Sequence, residues 1–149
     1  MRYAAACAIL ILIAGCTTVP PGPGPAPVTT PAPTTGAGAV PQSVAVASLM
    51  EAARADAGAG RLANAAATLE RGLRIEPRNP RLWQELARVR LKQGEYEQAE
   101  SVAARSNSWA GSDSSLRAEN WRLIAEARTA RGDAEGARAA LERSKRAER

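Results

Sequence analysis

The chain has 149 residues, a formal net charge of +5 and no histidine. The lack of histidine excludes histidine-based catalytic triads and histidine-ligated metal sites. Both cysteines, Cys7 and Cys16, lie near the start of the chain, so the rest has no thiol for catalysis or for a zinc site. Arg2 is the single charged residue before Glu51. The composition therefore predicts an uncharged leading part joined to a charged body, with no metal and no cofactor.

The first element is an apolar leader at residues 1–15. Met1-Arg2-Tyr3 supplies one positive charge, and an unbroken apolar run from Ala4 to Ile13 follows it. This layout is typical of a secretory signal peptide. A membrane-spanning helix is the weaker interpretation, because such a helix needs roughly 20 apolar residues.

The leader ends in Leu12-Ile13-Ala14-Gly15-Cys16, which resembles the lipobox of bacterial lipoproteins. The resemblance implies that the peptide before Cys16 is removed and that Cys16 carries fatty acids such as palmitate, which anchor a protein to a membrane. Since Thr17 rather than Asp follows the cysteine, it also implies the periplasmic face of the bacterial outer membrane. The alternative is an ordinary secretory signal in which Cys16 has no role.

Residues 16–42 form the second segment, a linker that follows the lipidated cysteine. From Thr17 to Gln42 there are eight of the ten prolines, four glycines, six threonines and no charge. Such a composition predicts disorder. A polyproline II chain rises about 3.1 Å per residue, so this segment extends to at most roughly 80 Å and would let a folded domain work away from the membrane. A merely permissive linker and a Pro-rich ligand for another domain are the alternatives.

The body, residues 43–149, contains a repeat. A shift of 34 residues places Gly94 over Gly60, and a further shift of 38 places Gly132 over Gly94 and Trp121 over Trp83. Helix pairs of this period are typical of tetratricopeptide repeats. The middle unit resembles that family at Trp83, Leu86, Ala87, Gly94, Tyr96 and Ala99. The resemblance implies an all-α fold: three tetratricopeptide-like helix pairs, at about 43–79, 80–113 and 114–149, stacked as a short right-handed superhelix after a disordered Pro-rich tether.

Local signals predict six helices in these units, at about 43–58, 61–75, 80–93, 95–106, 115–131 and 133–147. Gly60, Gly94 and Gly132 each follow a first helix, where glycine favours the left-handed stop. Asn79-Pro80 is a typical N-cap and first helical residue, and Asp133 is placed to cap the last helix. The four extra residues of the second spacing predict an inserted loop at Ser106–Gly111.

In the tetratricopeptide family, the first helix of each unit lines a concave face that usually binds a segment of another protein. The inward positions transferred to this chain are Met50, Arg54, Gln84, Arg88, Lys92, Arg122 and Glu126. This set is mostly basic and would favour an acidic partner. The alternative is that these residues form ordinary solvated helix surfaces. The chaperone-tail clamp of one branch of the family needs Asn where Arg88 and Glu126 stand, so that partner is not expected.

Trp109, on the predicted inserted loop, is a second candidate, as an aromatic anchor for a partner. The alternative, which we favour from the sequence, is that its ring covers the seam between the second and third units, because a large exposed ring promotes aggregation. Trp83 and Trp121 are predicted to lie in the core.

Catalysis and nucleic-acid binding are both disfavoured. Glu95, Glu97 and Glu100 are predicted to be exposed, without the burial that raises a carboxyl pKa, and no nucleophile accompanies them. Basic residues alternate with acids, and few aromatic residues are present to stack on bases. We therefore expect neither an enzyme nor a nucleic-acid partner.

The complete layout is a lipidated cysteine, a long Pro-rich tether and a small helical-repeat domain. It resembles the outer-membrane lipoproteins that reach through the cell wall to activate class A penicillin-binding proteins, including those whose working end is a tetratricopeptide domain. The resemblance implies a lipid-anchored periplasmic adaptor whose partner is a penicillin-binding protein. A pilotin-like lipoprotein that assists secretin or pilus assembly and a general envelope scaffold are the alternatives.

Overall fold

The computed structural model describes residues 43–149, which form six α-helices and no β-strand. The predicted lipidation site Cys16, the leader and the linker lie outside the described residues and stay predictions. The helices are α1 Val44–Gly58, α2 Leu62–Ile75, α3 Pro80–Lys92, α4 Tyr96–Trp109, α5 Ser114–Ala130 and α6 Ala134–Ala147. None of these six is both long and apolar enough to cross a membrane.

The helix ends follow the predicted capping chemistry. The Asn79 side chain accepts hydrogen bonds from the backbone N–H groups of Arg81 and Leu82, and Pro80 is the first residue of α3. Asp133 caps α6 in the same way through the N–H of Gly136. The glycine that ends each first helix has a positive φ, of 77° to 82°, at Gly60, Gly94 and Gly132. That conformation is strained for residues with a Cβ and explains why glycine recurs at this position of every unit.

Two apolar clusters form the core. The first joins the first unit to the start of the second and includes Val46, Leu69, Leu82 and Leu86. The second, built around Ile124, joins the second unit to the third and contains mainly alanine side chains. Consecutive helices pack against each other, and α1 contacts α3 as α3 contacts α5. The predicted all-α arrangement of three stacked helix pairs is thus confirmed, and it places α1, α3 and α5 side by side.

The predicted inserted loop is wrong. Residues 106–109 belong to α4, which has 14 residues and is therefore as long as α2. The four additional residues lie in α5, which has 17 residues where α3 has 13. They form one extra turn at its start, because Asp113 accepts a hydrogen bond from the N–H of Leu116, whose side chain is buried. The third unit therefore begins with a longer helix rather than a longer loop.

Trp83 and Trp121 are only partly buried, unlike their predicted core placement. Trp83 packs against the first core cluster and Trp121 against the second. The indole N–H of Trp83 donates to the carbonyl of Pro77 at 2.8 Å. The guanidinium of Arg105 lies 5.5 Å from the Trp83 ring centroid, and that of Arg143 lies 4.8 Å from the Trp121 centroid. Each ring thus packs one face inward and carries an arginine outside, which favours a cation–π contact.

Candidate protein-binding surface

The first helices of the three units line a groove with a volume of about 370 Å³. Its apolar surface comes from Leu69 of α2 and, on the first helices, from Ala53, Ala57, Val89, Leu91 and Leu123. Four of the seven residues predicted for the concave face, Arg54, Arg88, Lys92 and Glu126, line it as well. The groove is therefore a shallow apolar channel with charged side chains from all three units.

The other three predicted residues do not line this groove. Met50 is 3% exposed and belongs to the first core cluster. Gln84 is 5% exposed, and its amide donates to Oε2 of Glu119 at 3.1 Å. Arg122 forms an ion pair with Glu148 near the end of the chain. Met50 and Gln84 are wrong as surface residues, because Met50 packs in the core and Gln84 is buried against Glu119 of α5.

The groove is not mostly basic, because acidic residues neutralise its arginines. Arg54 pairs with Glu85 on α3 at 2.8 Å and with Glu51 at 2.7 Å. Arg88 on α3 pairs with Glu119 on α5 at 2.9 Å. The hydrogen bond to Glu85 raises the pKa of Arg54 above its ordinary value. These pairs tie the first helices of neighbouring units together and weaken the electrostatic case for an acidic ligand in the groove.

Glu85 and Glu119 are the functional neighbours that sequence reasoning missed. Each lies 31 residues after the arginine that it binds. The sequence contains this signal, an Arg and a Glu at a constant separation slightly shorter than the repeat. The separation stays at 31 although the repeat lengthens by four residues, because Glu119 lies one helical turn earlier in the aligned third unit than Glu85 lies in the second. Lys92 and Glu126 stay without an ion pair among residues 43–149 and supply the groove's available charges.

Trp109 is the last residue of α4 and lies on a helix rather than on a loop. Its side chain is 38% exposed, and the guanidinium of Arg78 lies 5.2 Å from its ring centroid. The ring is therefore neither a free loop anchor nor a closed cover over the seam. Ile75, the last residue of α2, occupies the equivalent position of the first unit and is 50% exposed.

The three glutamates considered for catalysis all belong to ion pairs. Glu95 pairs with Arg90 at 2.7 Å, Glu100 with Arg128, and Glu97 with Arg131 at 3.2 Å. The pKa of Arg128 is raised, chiefly by its hydrogen bond to Glu100. Within residues 43–149, no three Asp or Glu side chains converge in a way that could hold a metal ion. The arrangement connects α3 to α4 and α4 to α5, which is a structural use of these acids.

Comparison with known proteins agrees with this architecture. The family model described as tetratricopeptide repeat matches residues 56–118. No curated protein matches the chain. A solved structure, described as the globular C-terminal domain of P. aeruginosa LpoP, is 44% identical with a TM-score of 0.68, and the match covers 69% of this chain and 97% of that one. Identity at this level over nearly the whole LpoP domain shows that the chain belongs to the tetratricopeptide-repeat family that includes LpoP.

Proposed function

We propose that the protein is a lipid-anchored periplasmic adaptor that activates a class A penicillin-binding protein without catalysing a reaction itself. The observation that carries the proposal is the 44% identity to LpoP over 97% of its globular domain. LpoP is one of the lipoprotein activators of penicillin-binding proteins that the sequence layout resembles. A domain conserved to this degree over its whole length supports the same kind of partner for this chain.

The architecture supports an adaptor because its charged residues build a surface of fixed shape. Arg54–Glu85 and Arg88–Glu119 cross from one unit to the next, and Arg128 bridges α5 to Glu100 of α4 and to the carbonyl of Gly136 of α6. Side chains held in this way lose little additional entropy when a partner binds. The shallow groove is one of the surfaces on which the domain exposes apolar side chains.

Membrane attachment completes the proposal. The lipobox at Leu12–Cys16 supports acylation of Cys16 and an outer-membrane location, and the Pro-rich linker supports a domain that works some distance from the membrane. A partner whose own domain lies in the periplasm would then be reached across the cell wall. Activation would come from binding alone, since an adaptor shifts the equilibrium of its partner toward a more active conformation only by binding that conformation more tightly.

The direct test is a glycan polymerisation assay with purified components. The full-length lipoprotein in detergent micelles is added to a class A penicillin-binding protein from the same cell, with its lipid-linked disaccharide substrate. We expect the polymerisation rate to rise several-fold and to saturate with lipoprotein concentration. The lipoprotein alone, without the synthase, provides the control and should release no product. An unchanged rate at a lipoprotein concentration where binding to the synthase is measured would refute activation.

A further inference from the structure

Two arginine–tryptophan contacts lie beside each other at one end of the domain. Arg78 of the α2–α3 turn stacks on Trp109 of α4, and Arg105 of α4 stacks on Trp83 of α3. We call these four residues the tryptophan–arginine edge. The two contacts are connected, because the indole N–H of Trp83 donates a hydrogen bond to the carbonyl of Pro77, the residue before Arg78. Arg105 and Trp109 are also four residues apart on α4 and therefore share one side of that helix.

Exposed apolar side chains lie beside the α2–α3 turn that carries Arg78. Ile75 ends the helix that leads into the α2–α3 turn and is 50% exposed, and Val44 at the start of α1 is 84% exposed. The start of α1 is held at the turn, because the backbone N–H of Ser43 donates to Glu76 at 2.9 Å. Of the large apolar side chains exposed in residues 43–149, Val44, Ile75 and Trp109 lie at this end, and Leu141 lies on α6. Grouped exposed apolar residues of this kind mark interaction surfaces.

The charge of the edge is not neutralised within the domain, in contrast to that of the groove. Arg78 and Arg105 are exposed and form no ion pair among residues 43–149, whereas Arg54 and Arg88 of the groove each bind a glutamate. Glu76, the acid of the turn, accepts hydrogen bonds from Ser43 and Asn79 instead. Guanidinium groups stacked on indole rings are oriented in advance and keep their N–H donors available for carboxylates.

We propose that the tryptophan–arginine edge, rather than the concave groove, is the docking surface for the partner, and that it binds an acidic segment that also carries apolar side chains. Carboxylates of the partner pair with Arg78 and Arg105, and its apolar residues cover Trp109 and Ile75. Tryptophan and arginine are the residue types that most often dominate binding energy at interfaces. This inference rests on the proposed function for the identity of the partner, and it adds the surface and its chemistry.

Charge reversal tests the surface. Full-length lipoprotein carrying R78E and R105E is compared with wild type for binding to the purified class A penicillin-binding protein, with circular dichroism as the check on folding. We expect affinity to fall at least about tenfold in low salt and the salt dependence of binding to weaken. R138E/R146E is the control matched in charge, since Arg138 and Arg146 on α6 are likewise exposed and unpaired within residues 43–149, and it should bind as wild type does. A folded R78E/R105E variant with wild-type affinity would overturn the proposal.

Site-specific crosslinking tests the binding surface and the identity of the partner separately. A photoreactive residue is placed at Ile75 of the edge and, separately, at Lys92 of the groove, and the crosslinked peptides are identified from envelopes. A peptide rich in Asp and Glu from a penicillin-binding protein, captured from Ile75, supports both proposals. An acidic peptide of another protein at Ile75 keeps the edge and refutes the proposed partner. Capture of the synthase from Lys92 alone, or of nothing from Ile75, overturns the edge.

Discussion

Replacing Asn120 by alanine is expected to destabilise the domain more than any surface substitution, because this side chain joins the second unit to the third. Asn120 is fully buried. Its amide donates to Oγ of Ser106 at 2.7 Å and to Oδ1 of Asn107 at 3.0 Å, both on α4. The hydroxyl of Ser106 in turn donates to the carbonyl of Pro80 at 2.7 Å. One polar network therefore connects α5 to α4 and α4 to the start of α3.

The magnitude follows from what the substitution removes. Two hydrogen bonds are lost, each worth about 1 kcal/mol net, and Oδ1 of Asn107 loses its donor in a half-buried position, which adds about 1 kcal/mol. The missing amide also leaves a small cavity beside an alanine-rich core, and this cost is partly offset because Oδ1 of Asn120, a buried acceptor without a hydrogen-bond partner among residues 43–149, is removed as well. The free energy of unfolding should fall by about 2–4 kcal/mol for Asn120→Ala. With a urea m-value of about 2 kcal/mol per M, the unfolding midpoint moves down by roughly 1–2 M.

A double-mutant cycle isolates the interaction between Asn120 and Ser106. Ser106→Ala removes the acceptor of Asn120 and the donor of the Pro80 carbonyl, so the double variant N120A/S106A should lose less than the two single variants together, by about 0.5–2 kcal/mol. Ser144 is the matched control, because it is equally buried and donates to the carbonyl of Ala118 at 2.9 Å without an asparagine partner. N120A and S144A should add within about 0.5 kcal/mol.

Urea unfolding followed by tryptophan fluorescence and circular dichroism measures all five variants. Coincident transitions of the two signals would justify a two-state analysis. A loss below about 0.5 kcal/mol for N120A, or additive effects of N120A and S106A, would show that the network contributes nothing beyond packing.

Two substitutions and one deletion test a carboxylate held by hydrogen bonds, an ion pair and the tether. Burial raises the pKa of Glu76, but the hydrogen bonds from Ser43 and Asn79 outweigh it and lower the pKa below its ordinary value. Glu76→Gln should therefore lower the free energy of unfolding by about 1 kcal/mol at neutral pH. This difference from wild type should vanish as the pH falls through the lowered pKa. A gap that stays constant from pH 7 to pH 3 in urea titrations would contradict this. Arg128→Met leaves the half-buried Glu100 with the longer contact to Arg131 at 3.5 Å and should cost about 1–2 kcal/mol in the same assay, whereas Arg138→Met should stay within about 0.5 kcal/mol. Shortening Thr17–Gln42 by half should abolish synthase activation in cells and preserve binding to the purified synthase, because the shorter tether reaches at most about 40 Å. Secretin piloting, the alternative function, should stay largely intact after the same deletion. A Pro/Gly/Thr tether of the original length but scrambled order is the control, and activation that survives the deletion would refute a role in reach.

The fold was predictable from the sequence because the same helix-ending and capping residues recur at equivalent positions of the repeated units. Gly60, Gly94 and Gly132 mark the ends of the first helices, and the caps at Asn79 and Asp133 mark the starts of α3 and α6. Capping and turn chemistry are local, so neighbouring residues suffice to recognise them. The predicted position of the four-residue insertion was wrong because it is not decided by local chemistry. Both an extended loop and an extra turn of α5 satisfy the spacing, and the choice depends on the burial of Leu116 in the tertiary structure.

The candidate binding residues were predicted less well, because exposure depends on neighbouring helices. Arg54, Arg88, Lys92 and Glu126 do line the groove, but Met50 and Gln84 are buried. The sequence also shows the number of arginines on a helix without showing which of them meet an acid on the next helix. Arg105, which stacks on Trp83, lies 38 residues before Arg143, which stacks on Trp121, and 34 residues after Arg71. The repeat therefore did contain a signal for these stacked arginines.

The pairing of charges also decides which mutations can be interpreted as effects on binding. Arg54 and Arg88 connect the first helices of successive units, and successive units stabilise one another in a three-repeat array with a core built largely from alanine. Changing either arginine therefore alters stability and binding together, and a loss of function would not locate the binding surface. Arg78 and Arg105 bind no acid among residues 43–149, so their reversal breaks no ion pair and costs the domain the two cation–π contacts alone, about 0.5–1 kcal/mol each at exposed sites. The tryptophan–arginine edge is consequently the place where a binding defect can be attributed to lost contact with the partner.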